Sequence, residues 1–189
     1  MRIGLDLDGV LVHSIPRWIA VLNREAGAHY GPDDLPDTHG SPEQAYHSDR
    51  NELEMLILPG PVDGGPQAAQ ALHAGGHELV VVTARHPRMR GLTQAWLDYH
   101  GVPIHRLHFL EGASKAPTAL AEGLDCMVED APHNALALAE AGVPVLLFGR
   151  PYNRDLSHPL IHRCDGWAVV LEQIRSGSLP GRPSQRFPA

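Results

Sequence analysis

Apolar residues occupy alternate positions at the start of the chain. Ile3, Leu5 and Leu7 are apolar, and Gly9 interrupts the run. This alternation, followed by glycine, is typical of a short strand that ends in a turn. We therefore predict that the chain opens with a buried strand whose carboxyl end lies near residue 8.

Short apolar runs recur further along the chain and alternate with helical patterns. Four of them predict strands, at residues 79–82, 107–110, 126–128 and 145–148. Prolines open and glycines follow several of the helical stretches, beginning with the one at Pro66. Five strands separated by helices predict an α/β fold built on a doubly wound, parallel, five-stranded sheet.

Two of the predicted helices carry apolar positions that we expect to face the sheet. In the first of these two helices, which ends before Gly101, the apolar positions are Leu92, Ala95, Trp96 and Tyr99, at the spacing i, i+3, i+4 and i+7. In the second, which begins at Pro132, the inward positions are Leu136 and Ala139.

The stretch between the first two strands contains helix signals but no strand pattern. Ser14 and Pro16 predict a helix start, and Gly27 predicts its end. Glycines and prolines make residues 28–40 a predicted loop. Two capping-box sequences within residues 41–52 introduce a further short helical stripe.

We expect residues 14–60 to form a small helical cap inserted after strand 1. The core domain would then comprise residues 1–13 and 61–175. Residues 176–189 are rich in proline, glycine and serine and predict a loose tail.

Composition limits the classes of partner. Of the 189 residues, 22 are acidic and 15 are basic, which gives a formal net charge of −7. This balance argues against a general nucleic-acid or membrane surface. No stretch approaches 18 consecutive apolar residues, and no export signal precedes the first strand, so we expect a cytoplasmic protein.

Cysteine and histidine give no metal site by spacing. Cys126 and Cys164 form neither a disulfide framework nor a metal-binding pair, and Cys126 lies in an apolar run typical of a core. His158 and His162 are four residues apart, but Pro159 lies between them and a third zinc ligand is not evident. The favoured interpretation is that both are solvated loop histidines.

Two carboxylates follow the first strand. Asp6 and Asp8 are two residues apart, so they project in the same direction. Burying both would be costly without compensation, which a divalent cation would provide. Parallel α/β sheets bind ligands at the carboxyl ends of their strands. The alternative is a turn in which the aspartates are local hydrogen-bonding caps.

Polar residues also follow the other predicted strands. Thr83 ends the second strand, Lys115 follows the third, and Glu129 and Asp130 end the fourth. Taken singly, Thr83 and the two acids could cap helices, and Lys115 could be a solvated surface lysine. Their joint placement at one edge of a sheet is much harder to explain in that way.

The four motifs resemble those of phosphatases in the haloacid dehalogenase superfamily. They read DLDGV at 6–10, VVTAR at 81–85, Lys115, and VEDAPHN at 128–134. Within the superfamily, residues 1–175 are most similar to the cytosolic type of 5′(3′)-deoxyribonucleotidase and its bacterial relatives. The features shared with that group are TAR, the ED pair, WLDYHGVP at 96–103, VPVLLFGRPYNR at 143–154 and the Gly166-Trp167 pair.

The resemblance implies a mechanism. Asp6 would be the nucleophile that forms an aspartyl-phosphate intermediate. Asp8 would protonate the leaving alkoxide as a general acid and then activate water as a base. Lys115 and Mg²⁺ would neutralise the repulsion between the attacking carboxylate and the phosphate.

The resemblance also implies the ligands of the metal and the phosphate. Mg²⁺ would be held by the Asp6 carboxylate, the Asp8 carbonyl and Asp130, with Glu129 outside them or bound through water. The non-bridging phosphate oxygens would be held by the Thr83 hydroxyl, Lys115 and the backbone N–H groups of Gly9 and Ala84.

One position departs from the deoxyribonucleotidase pattern. Those enzymes usually have serine after the threonine of the second motif, where this chain has Ala84. Arg85 either compensates by contacting the substrate or pairs with an acid such as Glu129. The aromatic residues available for stacking on a base are Trp18, Tyr30 and Tyr46, and each of them could instead belong to the core of the cap.

The combined motifs predict a Mg²⁺-dependent phosphomonoesterase, foremost a 5′-nucleotidase acting on (deoxy)nucleoside monophosphates. The same chemistry on another small phosphorylated metabolite, such as a sugar phosphate, is the first alternative. A phospho-ligand binding module without turnover is the second. A dehalogenase proper is disfavoured, because Asp8 and Asp130 would lack a role. A small cap favours a small substrate over a nucleic-acid duplex, and the oligomeric state is left open.

Overall fold

The computed structural model describes residues 1–26, 29–31, 51 and 53–181. The strands in this part of the chain are β1 (Arg2–Leu5), β2 (Glu78–Thr83), β3 (Arg106–Phe109), β4 (Cys126–Glu129), β5 (Val145–Phe148) and β6 (Ile161–Cys164). The α-helices are α1 (Ile15–Ala26), α2 (Gly65–Ala74), α3 (Arg90–Tyr99), α4 (Ala116–Ala121), α5 (Pro132–Glu140) and α6 (Trp167–Ser176). Short helical turns lie at Leu53–Ile57, Pro87–Met89 and Pro151–Asn153.

The strands form one parallel sheet in the order β3-β2-β1-β4-β5-β6. Strand β1 lies between β2 and β4, because Ile3 pairs with Leu79 on one side and with Cys126 on the other. The carboxyl ends of these three strands therefore meet at one edge of the sheet. The predicted parallel α/β sheet is confirmed.

The sheet has six strands, and the prediction of five is wrong. Strand β6 pairs with β5 from Ile161 opposite Val145 to Cys164 opposite Phe148. Its sequence mixes apolar and polar residues because an edge strand is paired on one side only and tolerates half-exposed side chains. His162 consequently lies on a strand and not in the predicted loop.

Apolar side chains cover both faces of the sheet. Leu79 and Val81 point into one core cluster, and Val80 and Val82 point into a second cluster on the opposite face. This is the arrangement expected for an uninterrupted apolar strand. Cys126 is fully buried in the first cluster, as predicted.

Helix α3 buries a face that differs in part from the predicted one, although Trp96 is buried as predicted. In α3, Leu92 and Tyr99 are 46% and 86% exposed, whereas Thr93, Trp96 and Leu97 are buried. The Trp96 indole N–H donates a hydrogen bond to the Pro59 carbonyl at 2.9 Å, which favours the observed rotation of the helix. The sequence of α3 offers two overlapping faces that could be buried, one with Leu92 and Tyr99 and one with Thr93 and Leu97. The contacts with neighbouring elements determine which of them is buried.

The helix that begins at Pro132 shows a similar shift. Leu136, predicted to face inward, is 36% exposed. Ala135 and Leu138 are buried with Ala139, which does face inward as predicted.

The described part of the insertion is helical and attached to the core at both ends. Helix α1 has the predicted bounds. The His13 N–H donates to the Gly60 carbonyl at 2.9 Å, and the Val62 N–H donates to the Leu11 carbonyl at 2.8 Å. The predicted capping boxes, apart from Asn51, and most of the predicted loop lie outside the described residues.

The segment predicted as a loose tail begins inside a helix. Ser176 is the last residue of α6, and Leu179 is buried in the larger core cluster. Residues 182–189 lie outside the described part. None of the described helices is both long enough and apolar enough to cross a membrane.

Candidate active site

A tight turn after β1 positions the first motif. The Asp6 N–H still donates to the Val128 carbonyl of β4 at 3.0 Å, and the N–H groups of Leu11 and Val12 then fold back onto the Leu7 carbonyl. Gly9 has a φ of 81°, and a Cβ at this position would lie 1.9 Å from Asp130 Oδ2. Only glycine therefore allows the turn to approach Asp130 this closely.

Lys115 joins the carboxylates that follow β1 and end β4. Its Nζ atom lies 2.7 Å from Asp6 Oδ1 and 2.6 Å from Glu129 Oε2. The Leu7 N–H also donates to Asp6 Oδ1 at 2.7 Å, and the Ala131 N–H donates to Glu129 Oε1 at 3.1 Å. All three charged side chains are buried.

Burial raises the pKa of each carboxyl in this cluster. The pKa of Asp6 rises to about 8, first through burial and then through the charge of Glu129. The pKa of Asp130 rises to about 7, through burial and the charge of Asp6. Burial likewise raises the pKa of Glu129. Burial alone would lower the pKa of Lys115, but the charges of Asp6 and Glu129 outweigh it and raise that pKa.

The three acids fit a divalent metal ion. One carboxylate oxygen each from Asp6, Glu129 and Asp130 lie within 4.8 Å of one another. When all three are ionised, Lys115 balances only one of the three negative charges. A divalent cation would neutralise the remainder, and a donor set made only of oxygen suits Mg²⁺.

Asp8 pairs with Arg85. The Arg85 Nε atom donates to Asp8 Oδ2 and its Nη2 atom donates to Asp8 Oδ1, both at 2.8 Å. Arg85 therefore pairs with an acid, as one of the two predicted alternatives had it, but that acid is Asp8 and not Glu129, which is bound by Lys115.

The predicted phosphate-binding groups follow β1 and β2. Thr83 is fully buried, and its Oγ1 accepts a hydrogen bond from the Arg85 N–H at 3.2 Å. Ala84 is exposed. The Gly9 N–H donates to the Val12 carbonyl at 2.9 Å, so this amide is already engaged within the turn.

Residues after β5 complete the environment of Asp130. The Tyr152 hydroxyl donates to Asp130 Oδ2, and the Asn153 side-chain amide donates to the Asp130 carbonyl at 2.7 Å. The Arg150 guanidinium donates to the Gly9 carbonyl and stacks over the Phe148 ring. Sequence reasoning assigned these residues no role, although the GRPYN segment follows a strand and so reaches the same edge.

Two of the three aromatic candidates for stacking on a base lie in the described part of the chain. Trp18 is half-buried on α1, and Tyr30 is exposed, with its backbone bonded to the Asn23 side chain. Tyr46 lies outside the described residues.

The chain resembles known proteins over most of its length. The profile of the family described as "5' nucleotidase, deoxy (Pyrimidine), cytosolic type C protein" matches residues 1–178. A Bacillus subtilis (strain 168) protein named "putative nucleotidase" is 25% identical over 190 residues, which cover 93% of this chain and 94% of its own.

Solved structures share the fold at low sequence identity. A predicted phosphoglycolate phosphatase from Haemophilus somnus 129PT superimposes with a TM-score of 0.63 at 17% identity, covering 92% of this chain and 97% of that one. A D,D-heptose 1,7-bisphosphate phosphatase from B. bronchiseptica, crystallised with magnesium and phosphate, gives 0.55 at 17% identity, covering 94% and 99%.

The sheet, the acids at its carboxyl edge and these likenesses define a phosphoric monoester hydrolase of the haloacid dehalogenase superfamily. Within that superfamily, the chain belongs to the cytosolic type C family of 5′-nucleotidases. The resemblance drawn from the four motifs is confirmed.

Proposed function

We propose that the protein is a Mg²⁺-dependent phosphomonoesterase that works through an aspartyl-phosphate on Asp6. The observation that carries the proposal is the buried contact of 2.7 Å between Lys115 Nζ and Asp6 Oδ1. That contact orients the carboxylate and provides the positive charge that an incoming phosphate dianion requires. The family supports a nucleoside monophosphate as the substrate.

Asp6 is placed to attack phosphorus. Two donors hold Oδ1, the Lys115 ammonium and the Leu7 N–H, so Oδ2 is the oxygen that we expect to react. As the bond between Oδ2 and phosphorus forms, the phosphorus–oxygen ester bond breaks and Asp8 gives a proton to the departing alkoxide. Asp8 then takes a proton from water, whose oxygen attacks phosphorus and releases phosphate from Asp6.

Asp6 and Asp130 would hold Mg²⁺ together with the Asp8 carbonyl. Glu129 would act from outside this set, because its two oxygens already bind Lys115 and the Ala131 N–H. The ion would supply positive charge to the phosphoryl oxygens. Thr83 and the Ala84 N–H would hold those oxygens from the β2 side.

The insertion fits a small cap over this site. Its two ends are hydrogen-bonded to each other directly after the turn that carries Asp8. A segment attached there can exclude water and leave room for a small substrate. Trp18 and Tyr46 are the candidates for contact with a base, while Arg85 is directed to Asp8.

A phosphatase screen tests the proposal. Purified protein is assayed on nucleoside monophosphates, sugar phosphates and p-nitrophenyl phosphate, with Mg²⁺ and with EDTA. We expect Mg²⁺-dependent hydrolysis that is fastest on nucleotides and is abolished by Asp6→Asn. Hydrolysis by metal-free enzyme would contradict the metal site, and faster turnover of sugar phosphates would overturn the nucleotide assignment alone.

A further inference from the structure

The Asp8–Arg85 pair has a geometry that orients a carboxylate. Each Asp8 oxygen accepts one hydrogen bond of 2.8 Å from the planar guanidinium. A fork of two parallel hydrogen bonds prevents the carboxylate from rotating. Each carboxylate oxygen has two lone pairs, so both retain one for another partner. The Asp8 side chain is 22% exposed, which leaves it accessible from the site.

Arg85 is itself held from two further directions. Its Nη1 atom donates to Thr93 Oγ1 of α3 at 3.1 Å, and its Nη2 atom also donates to the Leu56 carbonyl at 2.8 Å. The side chain is 2% exposed. Leu56 belongs to the insertion, so a single guanidinium joins Asp8 to both the core and the insertion.

These contacts leave Arg85 little capacity for a phosphate. A guanidinium has five N–H groups. The hydrogen bonds to Asp8, Thr93 and Leu56 engage four of them, one on Nε, one on Nη1 and two on Nη2. Two-point binding of a phosphate would require Arg85 to release at least one of these three partners.

We propose that Arg85 is a positioning residue that acts through Asp8 and does not bind the substrate phosphate. This inference rests on the proposed function of Asp8 as the proton donor and acceptor. Arg85 holds the Asp8 carboxylate in one orientation, and Thr93 and the Leu56 carbonyl hold Arg85. Proton transfer therefore depends on how residues 53–57 of the insertion pack against Arg85.

A double-mutant cycle tests the inference. We expect Asp8→Asn to lower kcat at least about 100-fold and Arg85→Gln to lower it roughly 10- to 100-fold. In the Asp8→Asn background, Arg85→Gln should change kcat by no more than about twofold, because residues that act through one another are not additive. Arg85→Lys keeps the charge but lacks the fork, and it should resemble Arg85→Gln.

Binding of inorganic phosphate provides a readout that does not depend on turnover. Isothermal titration with Mg²⁺ present should give the same phosphate affinity for wild type and Arg85→Gln. Thr93 supplies a second pair of variants for the case in which Arg85→Gln is poorly folded. Thr93→Val removes the hydroxyl that holds Arg85 and should lose more kcat than Thr93→Ser, which keeps it.

The outcomes separate the inference from the proposed function. If Arg85→Gln lowers kcat in the Asp8→Asn background by as much as it does in the wild type, or if it weakens the binding of phosphate, the positioning role is overturned. The phosphatase mechanism would still stand. Equal activity of Thr93→Val and Thr93→Ser would also count against it. Wild-type kcat in Asp8→Asn alone would overturn both the role of Asp8 and the inference.

Discussion

The ammonium nitrogen of Lys115 lies 2.7 Å from Asp6 Oδ1 inside the protein, where neither side chain is appreciably exposed to solvent. Asp6 directly follows β1, and Lys115 directly precedes α4. A buried ion pair is costly to form and more costly to break, because removing one partner leaves a charge without compensation. The same contact therefore determines both the orientation of the proposed nucleophile and the stability of the site.

Replacing Lys115 with methionine should therefore damage both activity and stability. We expect kcat to fall at least about 1,000-fold, because the positive charge at the phosphate is lost. Stability at pH 9, above the pKa of Asp6, should fall by about 3–5 kcal/mol, since the ionised Asp6 and Glu129 lose their shared cation. Steady-state kinetics and urea unfolding measure the two effects. Arg106→Met, which removes an exposed partner of Glu122, is the control and should cost no more than about 1 kcal/mol.

The raised pKa values predict how stability changes with pH in the absence of metal. The pKa of Asp6 rises from 3.8 to about 8 and that of Asp130 from 3.8 to about 7, so the folded protein binds more protons than the unfolded chain between these values. The contribution of these groups to the stability of the metal-free protein should consequently be greatest below about pH 3.8 and should decline as pH rises to about 8.

Mg²⁺ should reverse that decline, because the metal binds the deprotonated carboxylates. Thermal unfolding with EDTA and with Mg²⁺, followed from pH 5 to pH 9, measures the effect. We expect the increase in Tm caused by Mg²⁺ to grow across this range. A constant increase would show that the carboxyls are already ionised at pH 5. Asp130→Asn provides the control, in which the increase should be small throughout.

Gly9 should tolerate no side chain for a reason specific to the site. A Cβ on Gly9 would lie 1.9 Å from Asp130 Oδ2, and the backbone has a φ of 81°. Gly76 has a φ of 77° with nothing within 4 Å of a Cβ, so it provides a matched control. Both Gly→Ala variants should lose about 1–2 kcal/mol from the left-handed backbone.

Only Gly9→Ala should also lose phosphatase activity and Mg²⁺ affinity, because the added methyl displaces the Asp130 carboxylate. Activity and calorimetric Mg²⁺ titration are compared for the two variants. Equal activity in both would mean that the turn moves without disturbing Asp130.

Tyr152 should influence the metal through Asp130. The Tyr152 hydroxyl donates to Asp130 Oδ2, and Tyr152→Phe removes that donor while keeping the ring. Loss of a hydrogen bond that orients a metal ligand typically weakens metal binding, here by roughly tenfold. The Mg²⁺ concentration for half-maximal activity is the measurement. Tyr99→Phe, at an exposed position on α3, should leave that value unchanged.

The sequence by itself determined which residues reach the carboxyl edge of the sheet. Asp6, Thr83 and Asp130 each follow a short apolar run, and consecutive parallel strands deliver such residues to one edge. Local patterns were also sufficient for the bounds of α1 and for the parallel α/β class. The prediction worked in these cases because each signal depends on residues that are neighbours in the chain.

Only the tertiary structure decided the contacts between distant residues. Arg85 had two possible roles in the sequence, and the fold directs it to Asp8, 77 positions earlier. Strand β6 was missed because its pairing with β5 comes from backbone hydrogen bonds, which impose little apolar pattern on an edge strand. Which face of α3 is buried depends on Pro59 and on the sheet, since the helix period alone allows either stripe. Such choices are settled by packing partners that lie far away along the chain.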